Sequence, residues 1–211
     1  MRLAILALLG LILCIPVMVM ADEPAVKAKK VRPADSDSPF AEGWPDATLP
    51  DQVEVKNYPA YRSAIAKAKK APQMADNVLF FPLFNHISKN NIAMTSPVVN
   101  TYTSEMIETP GSAGDMTMEF LYRTPTMGQT GPAGPVEVKD FPAATYVCLG
   151  LEGEMNDTKL RDGAKALKTW LAEHKAEWVE AGPPRRLGYH GPMTPVAERR
   201  WEVQIPVKSA K

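Results

Sequence analysis

Val53-Glu54-Val55-Lys56-Asn57-Tyr58-Pro59-Ala60 recurs 83 residues later as Val136-Glu137-Val138-Lys139-Asp140-Phe141-Pro142-Ala143, with six identities and two near-isosteric exchanges. Valines at alternate positions specify a strand with one buried face, and the Asn/Asp, aromatic and Pro that follow specify a fixed turn out of it. Eight consecutive matches that extend to the turn chemistry point to a duplicated unit, with pseudo-repeats at about 53–123 and 136–207.

After its first strand, the first copy continues with a weakly patterned strand over Tyr58–Ala66 and a helix over Ala75–Lys89. On a 3.6-residue period Leu79, Leu83 and His86 share one line and Phe80, Phe84 and Ile87 the next, a wider apolar arc than a helix on a sheet needs. Pro82 falls inside that helix, where it removes a hydrogen bond. Asn90-Asn91 is a stop signal, and Ile92–Val99 is extended, with Pro97 marking an edge or a bulge. Met116, Met118, Phe120 and Tyr122 alternate on one face of a further strand, with Thr117, Glu119, Leu121 and Arg123 on the other. The Gly- and Pro-rich run Thr124–Pro135 links the halves.

The second copy repeats the plan. Thr145–Leu151 is a strand, Asn156-Asp157 a cap, and Leu160, Ala164, Leu167, Leu171, His174 and Trp178 recur at helical spacing to about Glu180. Gly182-Pro183-Pro184 stops this helix, Arg185–Tyr189 is extended, and Trp201, Val203, Ile205 and Val207 alternate against Glu202 and Gln204 in a last strand. The expectation is an α+β fold of two β-β-α-β-β halves, closed into a distorted antiparallel eight-stranded barrel with two helices.

Outside the duplicated unit, Met1-Arg2 followed by the apolar run Leu3–Ile15 and small Ala21 reads as a signal peptide at 1–21, and hence as a secreted or periplasmic protein. On this reading no integral membrane segment is left after cleavage. Residues 22–50, with five prolines and no periodicity, read as a disordered linker, from which Phe40 and Trp44 stand out as candidates to pack back onto a domain at 51–208. Lys+Arg and Asp+Glu number 24 each, so there is no one-signed field to recruit nucleic acid or an anionic membrane. Without the signal segment Cys148 is the single cysteine, and the fold must rest on its packed core.

Leu83-Phe84-Asn85-His86-Ile87-Ser88-Lys89-Asn90, then Ile92-Ala93-Met94-Thr95-Ser96-Pro97-Val98, Phe120-Leu121-Tyr122 and Arg199-Arg200-Trp201-Glu202-Val203 together resemble the SOUL haem-binding family over about Val53–Val207. The resemblance implies a duplicated antiparallel barrel, similar also to gyrase-inhibitor-like effector-binding domains. It also implies a tetrapyrrole in an apolar groove beside the first helix, which maps onto Val78, Leu79, Leu83, His86 and Ile87, with Met94 alongside. Three departures stand out: His86 in the helix ending, Pro82 inside the helix, and Arg199-Arg200-Trp201 in place of Arg-Arg-Asn.

Haem iron accepts His, Met, Cys or Tyr, and His86 is the candidate axial ligand because it lies on the helix of the implied groove. The competing reading of His86 is a partly packed ring satisfied by water or a carbonyl. His190 is a loop residue with no visible partner, and His174 falls on the inner line of the second helix. Arg185, Arg186, Arg199 and Arg200 are either carboxylate partners for propionates or solvated strand ends. No nucleophile elbow, zinc-protease motif, Cys-x-x-Cys or phosphate loop occurs in the chain. The expected function is non-covalent binding of haem or another flat hydrophobic molecule, for carriage or buffering and not for catalysis. Two alternatives remain: a hydrolase or isomerase acting on a small planar molecule in the same groove, and a partner-binding module without a small ligand.

Overall fold

The computed structural model describes residues 36–71 and 76–211. The expected signal segment 1–21 and linker residues 22–35 lie outside the described residues. The first copy forms β1 (Val53–Tyr58), β2 (Tyr61–Ala71), α1 (Asp76–Lys89), β3 (Val98–Tyr102), the short α2 (Ser104–Glu108) and β4 (Gly114–Leu121). The linking run contributes β5 (Gly131–Ala133). The second copy forms β6 (Val136–Phe141), β7 (Ala144–Glu152), α3 (Asp157–Glu173), β8 (Trp178–Glu180), β9 (Arg185–Gly188) and β10 (Arg200–Ser209).

All ten strands join one antiparallel sheet in the order β1-β7-β10-β9-β3-β4-β2-β6-β5, with β8 on β10. Apart from β5 and β8, this order is a palindrome under exchange of the two copies, and each copy's first strand pairs with the other copy's second. Register obeys the same symmetry: Val55 faces Val147 and Val138 faces Ala64, a pairing that maps onto itself at the 83-residue offset. The halves meet where β3 pairs β9, and Asn100 lies opposite Arg186 on that seam.

The expected eight-stranded barrel with two helices is corrected to an open ten-stranded sheet with three α-helices among the described residues. Its path ends at β1 and β5, and both extra strands occupy segments read otherwise. Gly131–Ala133 belonged to the linking run. Trp178, expected on the second helix, instead starts β8, because α3 stops at Glu173 and His174 caps it. Periodicity misled there because Trp178 continues the apolar spacing by chance. Its ring packs at the edge of the core as part of a strand.

Helix boundaries follow local chemistry. Asn156 Oδ1 accepts from the Lys159 N–H at 3.0 Å and caps α3. Asn91 takes a left-handed backbone (φ 54°), and the Ile92 N–H reaches back to the Ile87 carbonyl at 2.9 Å, which closes α1. Gly163 lets α3 approach β10, since a β-carbon there would meet Val203 Cγ2 at 2.9 Å.

The sheet is buried on both faces. Leu79, Leu83 and Ile87 of α1 and Leu160, Ala164, Leu167 and Leu171 of α3 pack on one, against Met116, Met118, Phe120, Trp201, Val203 and Ile205. Glu119, Leu121, Glu202 and Gln204 point to the other face. It is covered by residues 40–50, in which Phe40, Ala41, Trp44 and Ala47 are buried. The linker reading is therefore corrected from Phe40 onward: Trp44 packs edge-on against Tyr58 and Tyr61, and the segment fills a second core. Gly150 permits the crossing, because a β-carbon there would collide with the Leu49 carbonyl.

Candidate functional site

The two halves leave a cavity of about 610 Å³ over the β3–β9 seam, on the helix side of the sheet. That volume falls in the range of about 300–1,000 Å³ of small-molecule sites. Phe80 and Phe81 enter from the N-terminal half of α1, Met94 from the segment leading into β3, Val98 from the start of β3, Met118 from β4, and Met155 from the turn before α3. These six side chains make an apolar and deformable wall, since thioethers adapt to the shape of a guest.

Polar groups collect at the floor and on one side. Arg186 donates to Asp76 Oδ2 at 2.8 Å, and Asn100 donates to Asp76 Oδ1 at 3.1 Å, so the first residue of α1 is pinned to the seam. Burial disfavours the Arg186 charge, but Tyr102 and Asp76 beside it outweigh that and hold its pKa above the ordinary arginine value. The other side is the loop 188–192 with Arg199 and Asp37. Asp37 Oδ2 accepts from the Gly191 N–H and from Thr194 Oγ1 at 3.1 Å. The backbone bond from Gly191 holds the Asp37 carboxyl below its ordinary value, against a small opposing effect of burial. Arg199 donates from Nε to the Thr194 carbonyl and from Nη2 to the Pro192 carbonyl, both at 2.9 Å.

The residues expected on the groove are dispersed. Met94 lines the cavity. Leu79, Leu83 and Ile87 are buried in the helix–sheet core, and Val78 is 67 % exposed on the opposite side of α1. His86 lies at the far end of the helix, over a separate depression with Phe81, Pro82, Asn85 and Lys89. Its Nε2 is 2.8 Å from the Tyr122 hydroxyl, and partial burial lowers its pKa. The surplus apolar arc read from the sequence is present, but it lies on Phe80, Phe81, Phe84 and Val78, while the Leu79–Leu83–Ile87 line packs inward.

Sequence reasoning missed most of the site. Arg186 was read as a solvated strand end or a propionate partner, and both it and Arg185 are buried. The Arg185 guanidinium lies 3.5 Å from the Tyr146 ring centroid and donates to Gln204, within the core on the other face. Asp37 carried no signal, being embedded in a Ser/Asp run. His190 and Gly191 did carry one, since Gly-Tyr-His-Gly-Pro is a turn that presents a lone imidazole. Cys148 is a fully buried thiol whose pKa burial drives upward, as its place in a β-strand predicts. Among the described residues no cluster of three or more His, Cys, Asp or Glu could hold a bare metal ion.

These features define a duplicated α+β domain with a cleft at its pseudo-twofold seam. The chain belongs to the SOUL heme-binding protein family, whose model matches residues 46–206. No curated protein sequence matches the chain. Among solved structures, the fold is similar to the EcmrR C-terminal domain, with TM-score 0.61 and 18% identity over 74% of this chain and 97% of that one. The DNA complex of EcmrR aligns equally well, over 57% of its chain. A hydrolase from Listeria innocua aligns with TM-score 0.54 and 10% identity over 76% of this chain and 94% of that one. At these identities the likeness is one of fold.

Proposed function

We propose that this protein binds haem or a related tetrapyrrole in the seam cavity, for carriage or buffering and not for reaction, in an exported setting. The observation that carries the reading is the cavity's composition: six apolar side chains of Phe, Met and Val opposite a side lined by Arg199 and His190, in a member of a haem-binding family. A flat macrocycle needs the first, and its carboxylates and metal are served by the second. The residues present fit such a guest: Phe80, Phe81, Met94, Val98, Met118 and Met155 would hold its faces. Arg199 has its Nε and Nη2 engaged by loop carbonyls, and its Nη1 would serve a carboxylate. Bound haem would supply a redox-active iron, which the apolar wall would screen from water.

The buried acids that a hydrolytic reading would need, Glu119 and Glu202, face the second core and not this cavity. Titration of haemin into the purified protein should give a saturable Soret shift, and Val98→Phe, which fills the cavity from β3, should abolish it without lowering the melting temperature. A wild-type protein that leaves the haemin spectrum unchanged at micromolar concentration would overturn the proposal.

A further inference from the structure

His190 is the least explained polar group beside the cavity. The chain on both sides of it is tied down. The Tyr189 carbonyl accepts from Ser96 Oγ at 3.2 Å, the Tyr189 hydroxyl donates to Glu202 at 2.9 Å, and the Gly191 N–H and the Pro192 carbonyl are held by Asp37 and Arg199. The imidazole itself hydrogen-bonds to no described residue, and its Nε2 is buried without a partner. A buried polar atom left unmatched costs about 1–3 kcal/mol, so a native structure that retains one calls for a reason. His86 is the opposite case, with Nε2 already engaged by Tyr122.

We infer that His190, through a ring nitrogen, is the axial ligand by which the seam cavity holds the iron of a bound metalloporphyrin, with the Asp37–Gly191–Thr194 clasp fixing its loop. The inference rests on the proposed function and sharpens it, since a purely hydrophobic groove would take iron-free and iron-bearing rings alike. Two observations support it beside the unpartnered Nε2. His190 lines the same cavity as the apolar wall. The loop is preorganised, so ligation need not order it. Met94, Met118 and Met155, on the same cavity, present soft thioethers as further ligands of the kind haem iron accepts.

The test compares ferric haem with iron-free protoporphyrin on wild type, His190→Ala and His86→Ala. The expected result is loss of the histidine-ligated Soret and visible bands in His190→Ala, and haem affinity weaker by about tenfold or more. Added imidazole should restore the bands, protoporphyrin affinity should be unchanged, and His86→Ala should behave as wild type. Protoporphyrin binding doubles as a check that the variant is folded. The iron–histidine stretch of ferrous haem in wild type provides a readout independent of any variant, and its absence overturns the inference. Haem that binds His190→Ala with the wild-type spectrum, or a spectrum that responds to His86→Ala instead, also overturns it and leaves the proposed function standing. Failure of wild type to bind either porphyrin overturns both.

Discussion

The two halves share a topology and a register, yet α1 and α3 are finished differently. Aligned on their buried positions, Leu83 corresponds to Leu167 and Ile87 to Leu171, an offset of 84. At the same offset Asp162, Lys165 and Lys168 on the outer face of α3 stand where α1 has Val78, Phe81 and Phe84, which are 67, 63 and 46 % exposed. Both helices need the inner line to hold the sheet. Only α3 has the charged outer face of a helix whose work ends there. Duplication thus supplied two equal scaffolds, and one of them carries apolar surface beyond the needs of folding, beside the cavity.

The same contrast runs through a pair of buried acids. Glu119 and Glu202 occupy equivalent places, 83 residues apart, on β4 and β10. Burial alone would raise the Glu202 pKa, but Lys56 at 2.5 Å and the Thr48 backbone hold it below the ordinary 4.5. Lys139, the counterpart of Lys56, pairs with Glu137 at the surface instead, and burial pushes Glu119 upward despite Arg185, Ser63 and Tyr61. The segment 40–50 breaks the symmetry by covering the sheet from the Glu202 side.

The largest effect expected from splitting the halves lies in these acids. Glu202→Gln should cost about 3–5 kcal/mol at neutral pH, because it leaves Lys56 charged in a buried site without its partner. Glu119→Gln should change stability by less than about 1 kcal/mol, as measured by urea denaturation. Their pH dependences should oppose each other. A depressed folded pKa stabilises above the unfolded value, so the Glu202 contribution is lost as pH falls below 4.5 through its lowered value. A raised folded pKa stabilises below the unfolded value, so the Glu119 contribution is lost as pH rises through its elevated value. Glu202→Gln should therefore flatten the acid limb of the stability profile, and Glu119→Gln the limb above it.

Next come the shared inner lines. Leu83→Ala and Leu167→Ala should each cost about 2–5 kcal/mol, and a cost confined to α3 would show that α1 does not hold the sheet. Asn156→Ala should cost about 1 kcal/mol through loss of the α3 cap, with haem affinity unchanged. Smallest in stability, and most telling for function, are Phe81→Lys and Phe84→Lys, which give α1 the outer face of α3. Both should fall within about 0.5 kcal/mol of wild type by chemical denaturation. Phe81→Lys should weaken haem binding in spectroscopic titration and Phe84→Lys should not, because Phe81 alone of the two lines the cavity.

Much of the fold was legible from local patterns. The repeat of Val53–Ala60 at Val136–Ala143 reports a strand and its exit turn, both set by residues within a few positions of each other, and it carried the pairing symmetry with it. Asn156 and Asn90-Asn91 marked helix ends because caps are local chemistry. Closure was not legible, since an open sheet and a barrel share the same strand patterns and differ only in whether the edges meet. The cover over Glu119 and Glu202 was not legible either, because alternation states which residues share a face and not what covers it.

The chain's own order of residues determined the duplication, the α+β class, the inner lines of both helices and the excess apolar arc of α1, all of which depend on spacing within single elements. Tertiary structure decided the site. It directed Leu79, Leu83 and Ile87 into the core, joined His86 to Tyr122, and brought Asp37, Asp76, Met118, Met155 and the run from Arg186 to His190 around one cavity from five separate stretches. Side chains that far apart in sequence meet only when long-range strand pairing sets their distances, and no local periodicity encodes that.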